Sequence, residues 1–258
     1  MKTKHHIIPV LYFLIISGLF EVVYFFPRNI YVISVLMIVL NFVFVMKINS
    51  LPFFEKIKSG NFWNFWFPLV AFDAGALLFS LIMTNPQYIH LLSFVVAFFS
   101  FLYLRSLFVY FRQPLFYEEH MLPNILLSIN TLSLFMLTSA LHAFLFLVLN
   151  FSFVIVSVVL LFVSFLLSYQ YFWTNHIPSV RSLVSACTVS LIMVQLVWAL
   201  RFLPFGYIVV GLILSLIFHV FQNFIIFWIQ DIWEFKLVRK YIIIGLAIFA
   251  FIFTTAQW

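Results

Sequence analysis

The sequence predicts an all-α fold: a polytopic bundle of about nine transmembrane helices, with the N-terminus inside and the C-terminus outside. Three observations carry this. Residues are 66% hydrophobic and only 8% charged over 258 positions. Apolar runs of about 20 residues recur along the chain, each long enough to cross a bilayer. Finally, 11 of the 13 Lys and Arg residues fall on every second connection between those runs, as the positive-inside rule requires.

The runs lie near residues 7–26, 30–47, 64–83, 88–110, 121–140, 142–170, 182–200, 206–230 and 241–257. Ahead of the first, Met1-Lys2-Thr3-Lys4-His5-His6 has the charge of a signal peptide. The run itself is long and lacks a small-residue cleavage site before Arg28, so it is expected to stay as the first helix. The second run ends at Lys47. The connection that follows, with Pro52, Glu55, Lys56, Lys58 and Gly60 among aromatics, reads as a segment lying along the interface. The third run carries Asp73. An ionised Asp at mid-helix costs about +3 kcal/mol on insertion scales, against about −3 to −6 kcal/mol from the Leu, Ile, Val and Phe residues of that run. Asp73 is therefore expected to face the bundle interior, with Ala76 and Ser80 at helical spacing beside it.

From Met121 to Tyr171 no turn signal interrupts the apolar pattern. One helix of that length would span about 75 Å, more than twice the hydrocarbon thickness, so a hairpin is required, with its break expected around Thr138–His142. Charge requires it too. With the N-terminus inside, Lys2, Lys4, Lys47, Lys56, Lys58, Arg105, Arg112, Arg181, Lys236, Arg239 and Lys240 share the cytoplasmic side, and only Arg28 and Arg201 lie outside. A single crossing between Arg112 and Arg181 would break that pattern. The tryptophans agree: Trp63, Trp66, Trp173, Trp198, Trp228, Trp233 and Trp258 all fall near expected helix ends, where indoles favour the interface. The turn Arg201-Phe202-Leu203-Pro204-Phe205-Gly206 is short enough to make the runs on either side antiparallel neighbours.

No connection is long enough to fold as a soluble domain. Residues 1–258 therefore read as a single integral membrane domain, and an attached ATPase, kinase or nucleic-acid-binding module is excluded. The net charge of +6 is assigned to orientation and anionic lipid, with membrane lipids as expected partners and no nucleic acid. Cys187 stands alone in an apolar run, which gives no disulfide framework and no cysteine metal site. No metal or other cofactor is expected, because no His-x-x-x-His or Glu-x-x-His spacing occurs.

Polar groups at membrane depth are the functional lead. Asp73 and Asn130 lie near mid-membrane. So does His219, in a stripe of Gly211, Ser215, His219, Gln222 and Asn223, and Thr188 on the antiparallel neighbour is expected at the same depth. Asp73, His219, Asn130, Thr188 and Asn223 form a candidate mid-membrane site for a proton or small solute. Packing by interhelical hydrogen bonds is the plainer role, above all for Asn130 and Thr188. A second set, Glu21, His90, His142, Gln195 and Arg201, is a candidate outer vestibule, in which Glu21 can also pair with Arg28 two turns later.

Glu118-Glu119, His142 and His219-x-x-x-Asn223 follow the motif order of the CAAX-type intramembrane proteases. That resemblance would imply a catalytic role for these carboxylates and histidines. It departs from the family at Pro123, where the family has Arg, and at Thr138, where it has Phe, and the topology separates Glu118 from His142. Trp198 through His219, with the turn Leu203-Pro204-Phe205-Gly206-Tyr207, and the ending Arg239-Lys240-Tyr241 through Thr255-Ala256-Gln257-Trp258, resemble a family of multi-pass membrane proteins without assigned activity from uncultivated small-genome bacteria. That similarity implies a bacterial inner membrane. The expected function is non-enzymatic: a small permease-like protein, or the membrane subunit of a complex with a membrane-protein partner, handling a proton or small solute. An intramembrane enzyme acting on lipid or peptide and a purely structural scaffold are the alternatives.

Overall fold

A computed structural model describes residues 7–49, 60–113, 115, 117–118, 120–145, 152–203, 205–231, 239, 243 and 250. Among them, eight helices are long and apolar enough to cross a membrane, where nine were expected. They are α1 (Ile7–Phe25), α2 (Ile30–Ile48), α3 (Gly60–Ser80), α4 (Pro86–Arg112), α5 (Met121–Ala143), α6 (Phe153–Thr174), α7 (Ser179–Leu200) and α8 (Tyr207–Ile229). The ninth expected run, 241–257, falls almost wholly outside the described residues, as does the connection 51–59. No strand occurs among the described residues.

Local chemistry sets the helix ends. Pro27 opens a single 3-10 turn between α1 and α2. The Asn85 side chain accepts a hydrogen bond from the Gln87 amide at 3.0 Å, with Pro86 in the first turn, so α4 starts two residues before the apolar pattern does. Arg112 closes the far end of α2, donating from Nε to the Ile48 carbonyl at 3.2 Å. There a cation meets the negative end of the helix dipole. α6 stops in a Schellman turn: His176 takes a left-handed φ of 58°, and the Ile177 amide reaches back to the Phe172 carbonyl at 3.2 Å.

The hairpin break lies later than expected. α5 runs unbroken through Thr138–His142 to Ala143, and α6 begins at Phe153. Thr138 is no breaker because its hydroxyl donates to the Leu134 carbonyl one turn back, at 2.6 Å, which a helix accommodates.

The chain divides into two compact units, residues 1–133 and 134–258. In the first, α1 lies along α4 and α2 along α3. α1 buries Tyr12, Ile16, Phe20 and Val23 at helical spacing, while Leu14, Val32, Val35 and Phe94 point outward, as lipid-facing positions do. In the second unit, α6 lies along α7 with α8 beside both. Gly211 of α8 meets α5 so closely that a β-carbon would collide with the Ser139 side chain and stand 2.9 Å from the Phe135 carbonyl. Small residues at such a crossing let two backbones approach.

Candidate functional site

Asp73 sits two-thirds of the way along α3, only 2% exposed. Ala76 and Ser80 are buried with it. One turn earlier, Pro68 interrupts the α3 hydrogen-bond ladder. The Tyr103 hydroxyl of α4 donates to the nearby Phe65 carbonyl at 2.9 Å and so ties this part of α3 to its neighbour.

Two side chains meet the Asp73 carboxyl. Asn41 of α2 donates from Nδ2 to Oδ2 at 2.9 Å, and the Tyr12 hydroxyl of α1 lies 3.2 Å from the same oxygen. Tyr12 also contacts Asn41 Oδ1, so the three residues close a ring drawn from three helices. All are buried, with Tyr12 and Asn41 at 0%. Interhelical hydrogen bonds contribute about 0.6–2 kcal/mol each in bilayers; two at the carboxyl offset much of the roughly 3 kcal/mol insertion cost of an Asp.

Proton counting gives the ring its chemistry. The Tyr12 hydroxyl has one proton and faces two acceptors, Asn41 Oδ1 and Asp73 Oδ2. A proton on Asp73 Oδ2 would donate to Tyr12, Tyr12 to Asn41, and the Asn41 amide back to Asp73, so that each contact has its own donor. Loss of that proton leaves one contact without one. The other carboxyl oxygen, Oδ1, is buried with no hydrogen-bond partner. Ser100 of α4 lies beside the Tyr12 hydroxyl without reaching hydrogen-bond geometry.

Asn41, Tyr12 and Ser100 were not singled out from the sequence. Asn41 satisfies the same criterion as Asn130, a polar residue in mid-run. Tyr12 and Ser100 carry no comparable signal, because a tyrosine near an interface and a serine within a helix are ordinary in membrane proteins.

The expected mid-membrane set is divided between the two units. Asp73 and Asn130, both buried, belong to the first, and Thr188, His219 and Asn223 to the second. Thr188 is not brought to His219. It lies on the exposed side of α7, bonded to the Val184 carbonyl at 3.0 Å, because α7 buries the opposite face through Ser182, Ala186, Val189 and Met193. His219 is half-buried, and its carbonyl accepts from Asn223 Nδ2 at 2.9 Å. Gln222, next to Asn223, donates to Ser168 of α6 at 3.2 Å, a bond that joins two helices.

The expected outer set is likewise divided. Glu21 and His90 are in hydrogen-bond contact at 2.9 Å between α1 and α4, with the Tyr24 ring against the imidazole. Glu21 is thus held by His90 across the helix interface and not by Arg28 of its own chain segment. In the second unit, His142 lines a small recess with Thr138, Val156, Val197 and Leu214. Arg201 stacks over the Phe153 ring at 5.2 Å, and Gln195 points outward.

Glu118 precedes α5, exposed, and His142 is at the far end of that helix. Glu118 thus belongs to the first unit and His142 to the second; Glu119 lies outside the described residues. Among the described residues no three His, Cys, Asp or Glu side chains cluster as metal ligands would.

Eight helices long and apolar enough to span a bilayer fit a multi-pass membrane protein. No protein-family model matches the chain, and no curated protein or solved structure is significantly similar to it.

Proposed function

We propose that this protein is a small permease-like membrane protein, or the membrane subunit of a larger complex, in which Asp73 binds and releases a proton. The observation that carries this is the ring of Asp73, Tyr12 and Asn41: a carboxyl buried at mid-helix, with one oxygen in a hydrogen-bonded ring and the other unpartnered. An ionisable side chain at this depth is costly unless used, and proton relays in transporters are built from such groups. The proton or small-solute site expected from sequence thereby narrows to the first unit, and His219 is not needed for it. The alternating Lys and Arg residues support an orientation with the N-terminus and the basic connections on the cytoplasmic side, and a bacterial inner membrane is what the resemblance of the Trp198–His219 stretch implies.

A second reading has its own observation. The ring joins α1, α2 and α3, which is also what a structural staple does. Asp73→Asn separates the two. The amide keeps the size of the side chain but cannot exchange a proton. Solute-dependent proton entry into reconstituted vesicles, read with a trapped pH dye over a panel of small solutes, should be lost in this variant while insertion and unfolding midpoint stay near wild type. Lowered stability with unchanged proton entry would favour the staple.

A further inference from the structure

The interface between α1 and α4 carries polar pairs at successive levels. At the end marked by Phe25 the exposed Glu21–His90 pair bridges the two helices at 2.9 Å. One turn deeper, Ser17 and Ser93 face each other with hydroxyls 3.4 Å apart, and Ser93 Oγ lies 3.2 Å from the Ser17 carbonyl. Deeper again, Ser100 lies beside Tyr12, whose hydroxyl reaches Asp73 Oδ2 at 3.2 Å. Antiparallel helices generate this order: 21, 17 and 12 descend α1 as 90, 93 and 100 descend α4. Serine is common at helix crossings, and the Ser17–Ser93 pair alone would be packing. The inference rests on what lies at the two ends, a carboxyl–imidazole pair open to water and a buried carboxyl with an unpartnered oxygen.

We infer that this α1–α4 interface is the proton path to Asp73, entered at Glu21–His90 and passing Ser17–Ser93 and Ser100–Tyr12. The inference rests on the proton-binding role proposed for Asp73. Each hydroxyl takes a proton on an oxygen lone pair as its own proton leaves for the next acceptor, so one proton taken up from water at the Glu21–His90 end moves to Asp73 and no hydroxyl is changed. From Glu21 to Ser17 the rise is about 6 Å, within reach of one bridging water. From the serine pair to the Tyr12–Ser100 level it is about 7.5 Å along α1 and about 10.5 Å along α4, which requires one or two waters. Ala97, buried between Ser93 and Ser100 on α4, is the small residue in that interval.

The test follows the carboxylic-acid C=O stretching band of Asp73, identified as the band that Asp73→Asn removes, after nanodisc-embedded protein is transferred from H2O to D2O. Exchange of the acid proton should be at least tenfold slower in the double variant Ser17→Ala, Ser93→Ala than in wild type. Ala97→Leu, which adds bulk in the interval the bridging waters would occupy, should slow it similarly. Ser34→Ala removes a hydroxyl from α2 that bonds only the Ile30 carbonyl, and should leave the rate unchanged. Wild-type rates in both the serine double variant and Ala97→Leu would overturn the path. Equal slowing by Ser34→Ala would also overturn it, since exchange would then follow general opening of the bundle. A wild-type spectrum with no band that Asp73→Asn removes would instead refute the proton-binding role of Asp73, and the path would fall with it.

Discussion

A tyrosine hydroxyl, an asparagine amide and a carboxyl account for the most demanding chemistry in this chain. Their energetics are modest but sign-definite. Tyr12→Phe removes one donor from the ring while keeping the ring packing against Phe44, 5.0 Å away. It should lower the unfolding free energy in mild detergent by about 1 kcal/mol, in the range measured for single interhelical bonds, as read by titration with a denaturing detergent. Thr188→Val should change it by less than about 0.5 kcal/mol, because the Thr188 hydroxyl serves only its own helix; a loss as large as that of Tyr12→Phe would mean that Thr188 bonds across helices after all. Asp73 was legible from the sequence because a charge among Leu and Phe has no inexpensive alternative. Its partners were only partly so. Asn41 stands out as polar in mid-run, whereas Tyr12 is recognised only when three helices bring it to the carboxyl.

At the scale of the element, helix positions followed from apolar length, and their ends from side chains that length does not register. Asn85 draws α4 two residues outward, and the Thr138 back-bond lets α5 continue past the expected break. Faces were harder to read than lengths. Thr188 and Ser190 differ by two residues and lie on opposite sides of α7, a distinction that a uniformly apolar helix hides, since lipid and bundle interior attract the same residue types. Gly211 is the element-scale test. Gly211→Ala introduces a β-carbon where Ser139 and the Phe135 carbonyl already stand, and overpacking of this kind costs about 1–3 kcal/mol. The unfolding midpoint of that variant should fall, while Gly206→Ala, with open space around it, should be close to neutral in packing. Equal midpoints for the two would show that α5 and α8 are not in close contact at Ser139.

For the whole molecule, charge alternation and hydropathy convey more than any single motif. They require two crossings between Arg112 and Arg181, and two helices, α5 and α6, are present there. Orientation is tested by single cysteines in a Cys187→Ser background: Arg201→Cys should react with a membrane-impermeant maleimide added to intact cells and Arg181→Cys should not, whereas labelling of both or the reverse pattern would contradict the assigned sides. The function itself was less legible, because a site assembled from α1, α2 and α3 has no contiguous motif and its chemistry depends on which faces meet. The most direct measurement of the central claim compares Asp73→Asn and Asp73→Glu in reconstituted vesicles under an imposed pH gradient. If Asp73 binds and releases a proton, solute-dependent proton entry is abolished by the amide and at least partly retained by the longer acid, with both variants inserted and folded; wild-type proton entry in Asp73→Asn would contradict it.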